Sequence, residues 1–531
     1  MKQLQTECLI LGGGLSGWMA AQQCAAAGLD TCLLEDGMGA SPWVHGFNAP
    51  VHPEDSPECF LQDTLKSGQG LSTPALAQAL CGDAKMIFDE LCRMGFSFNR
   101  EGDGYQLLRP LGASHPRVAS IGNETGVAIL QVLREQLAHQ VQDLHGARAV
   151  RLLKQDGQVC GAVAFDMEKQ EWLAISAKAV VLACGGYCGI FPVSTNKRDS
   201  GGDGIGMAWE AGAKLCDMEF IQFEPSAAVW PPAVVGSGMI TTLLFEGAVL
   251  RNRDGERFML RYGPEGEQVG KDVMARRIAA EVAAGRGTEH GGVYFDATAV
   301  GRERLETGYS MYVERYRAVG IDLATEWIEL GPAPHTSLGG VCIDENCRTT
   351  LPGLFACGEV IGGLHGANRI GGNAGLETLV FGRRAGQSAA AYAKQLPAAA
   401  QASISPMEYG GQSCAEALQS LRDTMRQALQ KGLGAVREAL SLQDCVHDLE
   451  WCISQAEQLK GGDAQEEFLR LRLVNDLTAA LMSAKAALAR CDTLGCHTRS
   501  DCPERAEPPY RLTFVKQADD PMEARRESVK E

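Results

Sequence analysis

The chain has 531 residues, which is too long for a single hydrophobic core and predicts about two to four folding units. Apolar residues make up 45% and charged residues 22%, a composition that excludes a largely disordered protein. The formal net charge of -17 repels phosphate backbones and anionic membrane surfaces, so we expect no nucleic-acid partner.

No segment of the sequence predicts a membrane span. The longest uncharged stretch, 225–245, is interrupted by Pro231 and Pro232 and by two glycines, which would leave backbone groups unsatisfied in lipid. No basic and apolar leader pattern precedes the first apolar run, 8–11. The 19 cysteines lack paired spacing, which suits a reducing compartment, and we predict a cytoplasmic protein.

Apolar periodicity predicts an α/β organisation in the first third of the chain. A buried strand at 7–11 is followed by a glycine run, a helix at 18–27 and a second strand at 31–34. The further predicted elements of this third are helices at 74–94 and 126–140 and strands at 149–153, 159–165 and 179–183.

The pattern changes twice further along the chain. Turns, short strands and one helix at 272–284 are mixed within 220–295, which predicts an inserted domain. The strand, glycine-rich loop and helix pattern then returns over 353–392, before an Ala-rich segment at 395–405 that indicates a linker. Helical patterns at 414–430, 440–458 and 466–490 predict a helical C-terminal domain, and the charged tail at 517–531 is expected to be solvated or only loosely packed.

The glycine run predicts a dinucleotide site. Gly12-Gly13-Gly14-Leu15-Ser16-Gly17 lies between a strand and a helix, where the first glycine allows a tight turn and the second admits a pyrophosphate. Glu35 ends the second strand, where an acid can bond ribose hydroxyls. The motif alone does not separate FAD from NAD, although a single such fingerprint disfavours a nicotinamide enzyme.

A series of later motifs decides between these cofactors. In chain order they are Thr64-Leu65, Ala183-Cys184-Gly185-Gly186, Gly202-Asp203-Gly204, 218–223, 252–259, Gly339-Gly340-Val341, Gly358-Glu359 and 365–373. Their order resembles that of the flavoprotein subunits of fumarate reductase and succinate dehydrogenase and of the related L-aspartate oxidases. The likeness covers nearly the whole chain.

The resemblance implies a fold of class α/β, in which a Rossmann-like FAD-binding domain is interrupted by an α+β capping domain and followed by a helical C-terminal domain. The predicted boundaries are 1–218 and 331–395 for the two parts of the FAD-binding domain, 219–330 for the capping domain, 396–516 for the helical domain and 517–531 for the tail.

The resemblance also implies FAD as a noncovalent cofactor. Glu35 is expected to hold the adenosine ribose, Asp203 and Glu359 the flavin-bearing half, and the loop 371–375 the isoalloxazine ring. A covalent tether is not expected, because His45 falls on the position of a glutamine in the relatives that carry one. The predicted cofactor-binding residues are Gly12, Gly13, Gly14, Leu15, Ser16, Gly17, Glu35, Asp36, Ser41, His45, Gly46, Gly185, Asp203, Glu359, Arg369, Asn373, Ala374 and Gly375.

The predicted catalytic residues depart from the family pattern at two positions. Lys271 matches the arginine that moves a proton in the reductases, and a lysine can also relay a proton. Glu224 replaces a carboxylate-binding histidine and would repel a dicarboxylate. His335 and Arg369 keep the anion-binding positions. An exposed lysine at a helix start and a satisfied core histidine are the structural alternatives for Lys271 and His335.

These departures predict a small carboxylate substrate that carries one carboxylate and either an amine or an apolar group. Two alternatives stay open: an electron-transfer flavoprotein that works with a separate iron-sulfur partner, and a true fumarate reductase or succinate dehydrogenase. Electrons would pass to oxygen, to a soluble electron acceptor or to an iron-sulfur protein. The cysteines at 491, 496 and 502 lack the spacing of metal ligands, so we predict no metal site.

Overall fold

The computed structural model describes residues 1–110, 112–122, 124–399, 407–516 and 522–529. The strands in these ranges, β1 to β20 in chain order, are Lys2–Leu11, Thr31–Glu35, Phe47–Asn48, Arg100–Glu101, Gly104–Tyr105, Val118–Ala119, Gln142–His145, Ala147–Gln155, Gln158–Asp166, Glu171–Leu182, Leu215–Cys216, Ile221–Trp230, Val249–Arg251, Val293–Asp296, Ile328–Ser337, Gly340–Cys342, Leu354–Ala356, Ile361–Gly362, Tyr510–Phe514 and Arg525–Ser528. The α-helices, α1 to α12, are Leu15–Ala26, Pro57–Ser67, Pro74–Arg93, Thr125–Leu137, Asp203–Ala211, Lys271–Glu281, Arg302–Gly308, Ser310–Arg317, Asn373–Ala393, Ala415–Gly432, Ala439–Gln458 and Ala464–Ala489.

The main sheet has seven strands and confirms the predicted α/β class. Its order is β7-β2-β1-β10-β9-β8, with β17 beside β10. β7, β2, β1, β10 and β17 run parallel. β9 is antiparallel to β10, and β8 is antiparallel to β9. β2 is buried throughout, as expected for a parallel strand with both sheet faces covered. The turn between β1 and α1 therefore lies at the carboxyl edge of the sheet, where such folds bind ligands.

A four-stranded antiparallel sheet, β12-β15-β14-β13, supports the capping domain. Together with α6 to α8 it encloses a second hydrophobic core that includes Leu250, Phe258 and Ile278. The strands that enter and leave this domain, β12 and β15, pair directly with each other. The predicted boundary at residue 330 falls inside β15, so the exact domain limits stay predictions.

The helical C-terminal domain packs on the FAD-binding domain through α12. Asp476 of α12 accepts a hydrogen bond from the amide of Gly202, 2.8 Å away, immediately before α5. Residues 400–405 of the predicted linker lie outside the described residues. Across the described ranges, no helix has the length and apolarity that a membrane crossing needs.

A five-stranded sheet, β18-β16-β11-β19-β20, brings the end of the described chain back to the FAD-binding domain. Arg511 on β19 binds the buried carboxylate of Asp217, with Nε 3.1 Å from Oδ1, and donates to Thr73 Oγ1 at 3.0 Å. These bonds join β19 to the end of β11 and to the start of α3, although the three elements are distant in sequence.

The described part of the charged tail, 522–529, packs against the sheet, and its residues stay half-buried or exposed. β20 pairs antiparallel with β19. Both carboxylate oxygens of Glu527 accept hydrogen bonds from Lys214 Nζ at 2.7 Å, and Thr513 Oγ1 donates to the same carboxylate at 3.0 Å. The charge of Glu527 therefore pairs with Lys214, immediately before β11. Residues 517–521 and 530–531 of the predicted tail lie outside the described residues.

Candidate active site

A cavity of about 380 Å³ extends from the glycine turn after β1 to the edge of the capping domain. Most of the predicted cofactor residues and three of the four predicted catalytic residues line it, which brings together positions from five distant parts of the chain. The predicted residues on its wall are Gly12, Gly13, Gly14, Ser16, Asp36, Ser41, His45, Gly46, Gly185, Asp203, Glu359, Arg369, Ala374, Gly375, Lys271 and His335. Those that do not line it are Leu15, Gly17, Glu35, Asn373 and Glu224.

The glycine turn has the geometry that a pyrophosphate requires. Gly12 has a φ of +128°, and a Cβ there would lie 2.2 Å from the carbonyl oxygen of Ala183. A Cβ at Gly17 would lie 1.9 Å from the carbonyl oxygen of Gly12. The amides of Gly13 and Gly14 make no hydrogen bond with any described residue, and both line the cavity at the start of α1. These free donors at a helix N-terminus fit the anionic centre of FAD.

Gly17→Ala is expected to yield protein that has lost most of its FAD, because the new methyl group overlaps a backbone atom that cannot move aside. The ratio of flavin to protein absorbance after purification measures this loss. Gly82→Ala is the matched control, since a Cβ at this position in α3 would meet nothing within 4 Å. Equal flavin content in the two variants would contradict the role of Gly17.

Glu35 does not lie on the cavity wall. Its carboxylate is 2% exposed and already binds Arg134, His145 Nδ1 at 2.9 Å and Trp18 Nε1 at 3.4 Å. The hydrogen bond with Glu35 raises the pKa of His145. The neighbouring residue Asp36 does line the cavity. The ribose role of Glu35 stays a prediction, and Asp36 is the acid that the structure exposes to a ligand.

Arg148 connects two of the predicted cofactor acids. Its guanidinium lies 3.1 Å from Asp36 Oδ2 through NH1 and 2.6 Å from Asp203 Oδ2 through NH2. The other oxygen of Asp203, Oδ1, is buried and has no partner among the described residues. Asp203 also lines the cavity, so this oxygen fits a hydroxyl group of the bound cofactor.

The loop at the far end of the cavity is held by a residue that the sequence did not single out. Asn48 Nδ2 donates to the carbonyl oxygen of Gly371 at 2.8 Å and to Asn373 Oδ1 at 2.6 Å. Nearby, Glu359 accepts from the amide of Ser337 at 2.9 Å, and burial raises the pKa of Glu359 to about 7. No local sequence signal distinguishes Asn48, because its partners lie more than 300 residues away.

Lys271 and Glu224 form an ion pair beside the cavity. Lys271 is the first residue of α6, and its Nζ contacts Oε2 of Glu224 on β12. Burial alone would raise the pKa of Glu224, but the Lys271 ammonium and the hydrogen bonds from Lys271 and Ser226 hold it below its usual value. Ser226 Oγ lies 2.9 Å from the second carboxylate oxygen. Glu224 is therefore already paired, which the sequence did not predict.

His335 and Arg369 complete the cavity wall on the side of the capping domain. Burial, together with the nearby cations Lys271 and Arg369, lowers the pKa of His335 to about 3, so its ring is neutral. Arg369 NH2 donates to Gln222 Oε1 at 2.8 Å, whereas its Nε is buried without a partner among the described residues. Gln222 orients the guanidinium; it lies in a motif, 218–223, to which the sequence assigned no role.

The fold and the cavity are those of an FAD-dependent oxidoreductase. Residues 7–374 match a family model described as "FAD binding domain". Residues 422–530 match one described as "Fumarate reductase flavoprotein C-term". The prediction of FAD as the cofactor is confirmed, as is the predicted class of enzyme.

Individual relatives agree with these matches. The chain is 35% identical to a fumarate reductase (CoM/CoB) subunit of Methanothermobacter marburgensis, over 94% of this chain and 95% of the relative. It is 34% identical to L-aspartate oxidase of Caulobacter vibrioides, over 96% and 95% of the two chains. A solved FrdA variant of E. coli quinol fumarate reductase superposes with a TM-score of 0.90 at 27% identity, over 99% and 97%. The chain belongs to the fumarate reductase and L-aspartate oxidase family of flavoproteins.

Proposed function

We propose that the protein moves a hydride between flavin N5 and a carbon atom of a small organic acid that has one carboxylate and an amine or apolar group. The observation that supports this most directly is the buried, unpartnered Nε of Arg369 at the cavity wall, beside the neutral ring of His335. Two donors at one end of a flavin cavity are suited to hold a carboxylate.

The charges around the cavity support a substrate with a single carboxylate. Lys271 and Glu224 neutralise each other, and His335 carries no charge, so among the predicted catalytic residues Arg369 is the cation left to bind a carboxylate. A second carboxylate near Glu224 would find no free cation, because Lys271 is already paired with Glu224. Because Glu224 already has a cationic partner, its pairing favours an apolar group over an amine on the rest of the substrate.

The residues of the chain have separable roles in this proposal. FAD supplies the centre that accepts or donates the hydride. Arg369 and His335 bind and orient the carboxylate, and Gln222 fixes the direction of the guanidinium. Lys271 holds or moves the proton that accompanies the hydride, and the capping domain keeps water from the reacting carbon.

The test is an anaerobic titration of the FAD-loaded protein with matched mono- and dicarboxylates, in both the oxidised and the reduced state. We expect monocarboxylic acids to bleach or restore the flavin absorbance, and succinate and fumarate to act more weakly. Arg369→Met should keep the flavin and lose the response. Faster reaction with succinate or fumarate than with every monocarboxylate would overturn the proposed substrate class.

A second candidate is an electron-transfer flavoprotein that works with an iron-sulfur partner. The Methanothermobacter relative is named as one subunit of its enzyme, which supports this candidate. The same titration separates the two functions. An enzyme reacts directly with a small acid, whereas a relay changes its flavin spectrum only after a protein partner is added.

A further inference from the structure

The hydroxyl group of Thr195 lies between a ring nitrogen of His335 and a carbonyl oxygen at the cavity wall. Its Oγ1 is 2.8 Å from His335 Nδ1 and 3.4 Å from the carbonyl oxygen of Pro334. A threonine hydroxyl has one proton, so it donates to only one of these atoms at a time. The choice determines which nitrogen of the His335 ring carries hydrogen.

The surroundings of Pro334 settle this choice. Its carbonyl oxygen already accepts from the amide of Thr195 at 3.0 Å and from Ser194 Oγ at 2.9 Å. A carbonyl oxygen has two lone pairs, and both are used. The Thr195 proton is therefore directed to the shorter contact, His335 Nδ1, which must be unprotonated in order to accept it. The neutral imidazole then carries its hydrogen on Nε2.

We propose that Thr195 is a positioning residue that fixes the proton of His335 on Nε2, so that the ring offers a donor and not a lone pair to the substrate carboxylate. Among the described residues, none bonds to His335 Nε2, and His335 lines the cavity. The opposite tautomer would direct the lone pair of Nε2 at the substrate carboxylate. The identity of the ligand rests on the proposed function, whereas the position of the proton does not.

Because the His335 ring is neutral, only one of its two nitrogens carries hydrogen, and the tautomer determines which one. Burial lowers its pKa to about 3, with Lys271 and Arg369 acting in the same direction, so the ring does not become a cation near neutral pH. Asn196 Nδ2 also donates to the His335 carbonyl oxygen at 3.0 Å. This hydrogen bond joins the backbone of β15 to the loop that carries Thr195.

The proton can be located in the resting holoenzyme without any substrate. Long-range ¹H–¹⁵N correlation spectra of ¹⁵N-histidine-labelled, FAD-loaded protein distinguish a protonated from an unprotonated ring nitrogen, and the spectrum of His335→Gln assigns the signal. We expect hydrogen on Nε2 in the wild type and in Thr195→Ser, and a shift towards Nδ1 in the isosteric Thr195→Val. Hydrogen on Nδ1 in the wild type, or no change in Thr195→Val, would overturn the proposal.

The second readout is the affinity for propionate and acetate, measured from the perturbation of the flavin spectrum and normalised to flavin content. Thr195→Val should weaken binding by about tenfold, as expected for the loss of one oriented hydrogen bond, and Thr195→Ser should restore it. Unchanged affinity in Thr195→Val would overturn the positioning role. A wild type with the expected tautomer that binds no carboxylate would overturn the proposed function and support the tautomer assignment.

Discussion

Lys271→Met is expected to lower turnover by about 100- to 10,000-fold while leaving the flavin bound, which is the range for loss of a general acid or base. Lys271 begins α6 at the cavity wall, in the capping domain and not in the glycine turn that is predicted to hold the pyrophosphate. Methionine occupies a similar volume but cannot hold or move a proton. The measurement is steady-state turnover with the acid that changes the flavin spectrum most readily, divided by flavin content.

Two further variants separate proton transfer from a change in charge. Lys271→Met leaves the Glu224 carboxylate buried without its counter-ion. The double variant Lys271→Met/Glu224→Gln removes that charge, and its turnover should stay as low as that of the single variant. Recovery of turnover in the double variant would show that Lys271 serves only to neutralise Glu224.

Arg490→Met is expected to reduce the free energy of unfolding by about 3–5 kcal/mol, the usual cost of breaking a buried ion pair. Arg490 Nε lies 2.6 Å from Glu219 Oε1, and both side chains are 0% exposed. The guanidinium also donates to the carbonyl oxygen of Tyr510 at 2.8 Å. The substitution therefore leaves a carboxylate buried at the junction of the capping, FAD-binding and helical domains.

The matched control for this substitution is an exposed ion pair in the capping domain. Arg304 NH2 lies 2.6 Å from Glu246 Oε1, but the arginine side chain is 52% exposed. Arg304→Met should change the free energy of unfolding by less than about 1 kcal/mol. Urea denaturation followed by circular dichroism compares the two variants at equal flavin content. Coincident unfolding midpoints would show that the Arg490 pair adds nothing beyond an exposed one.

The sequence predicted most of the longer helices well, because their apolar period is a local signal. The helix expected at 74–94 is α3, Pro74–Arg93, and that expected at 440–458 is α11, Ala439–Gln458. β1 is longer than expected: it begins at Lys2, where polar residues pair with β10 without being buried. Pairing partners distant in sequence leave no such local pattern.

The candidate site was also predictable only in part. The motifs identified residue types at the cavity, such as Arg369 and His335, but not the partners that each one contacts. Lys271 and Glu224 are separated by 47 residues, and their pairing depends on where α6 begins relative to β12. The acceptors of Glu35 are already occupied by Arg134 and His145, which are 99 and 110 residues away.

The link between Arg511 and Asp217 has a consequence for the order of events during synthesis. The two residues are 294 positions apart, and the Asp217 side chain is fully buried. Until Arg511 has been translated, Asp217 has no counter-ion from β19, and burying its charge alone is strongly unfavourable. The pairing of β11 with β19, which completes the five-stranded sheet beside α3, therefore forms only after the helical domain has been made.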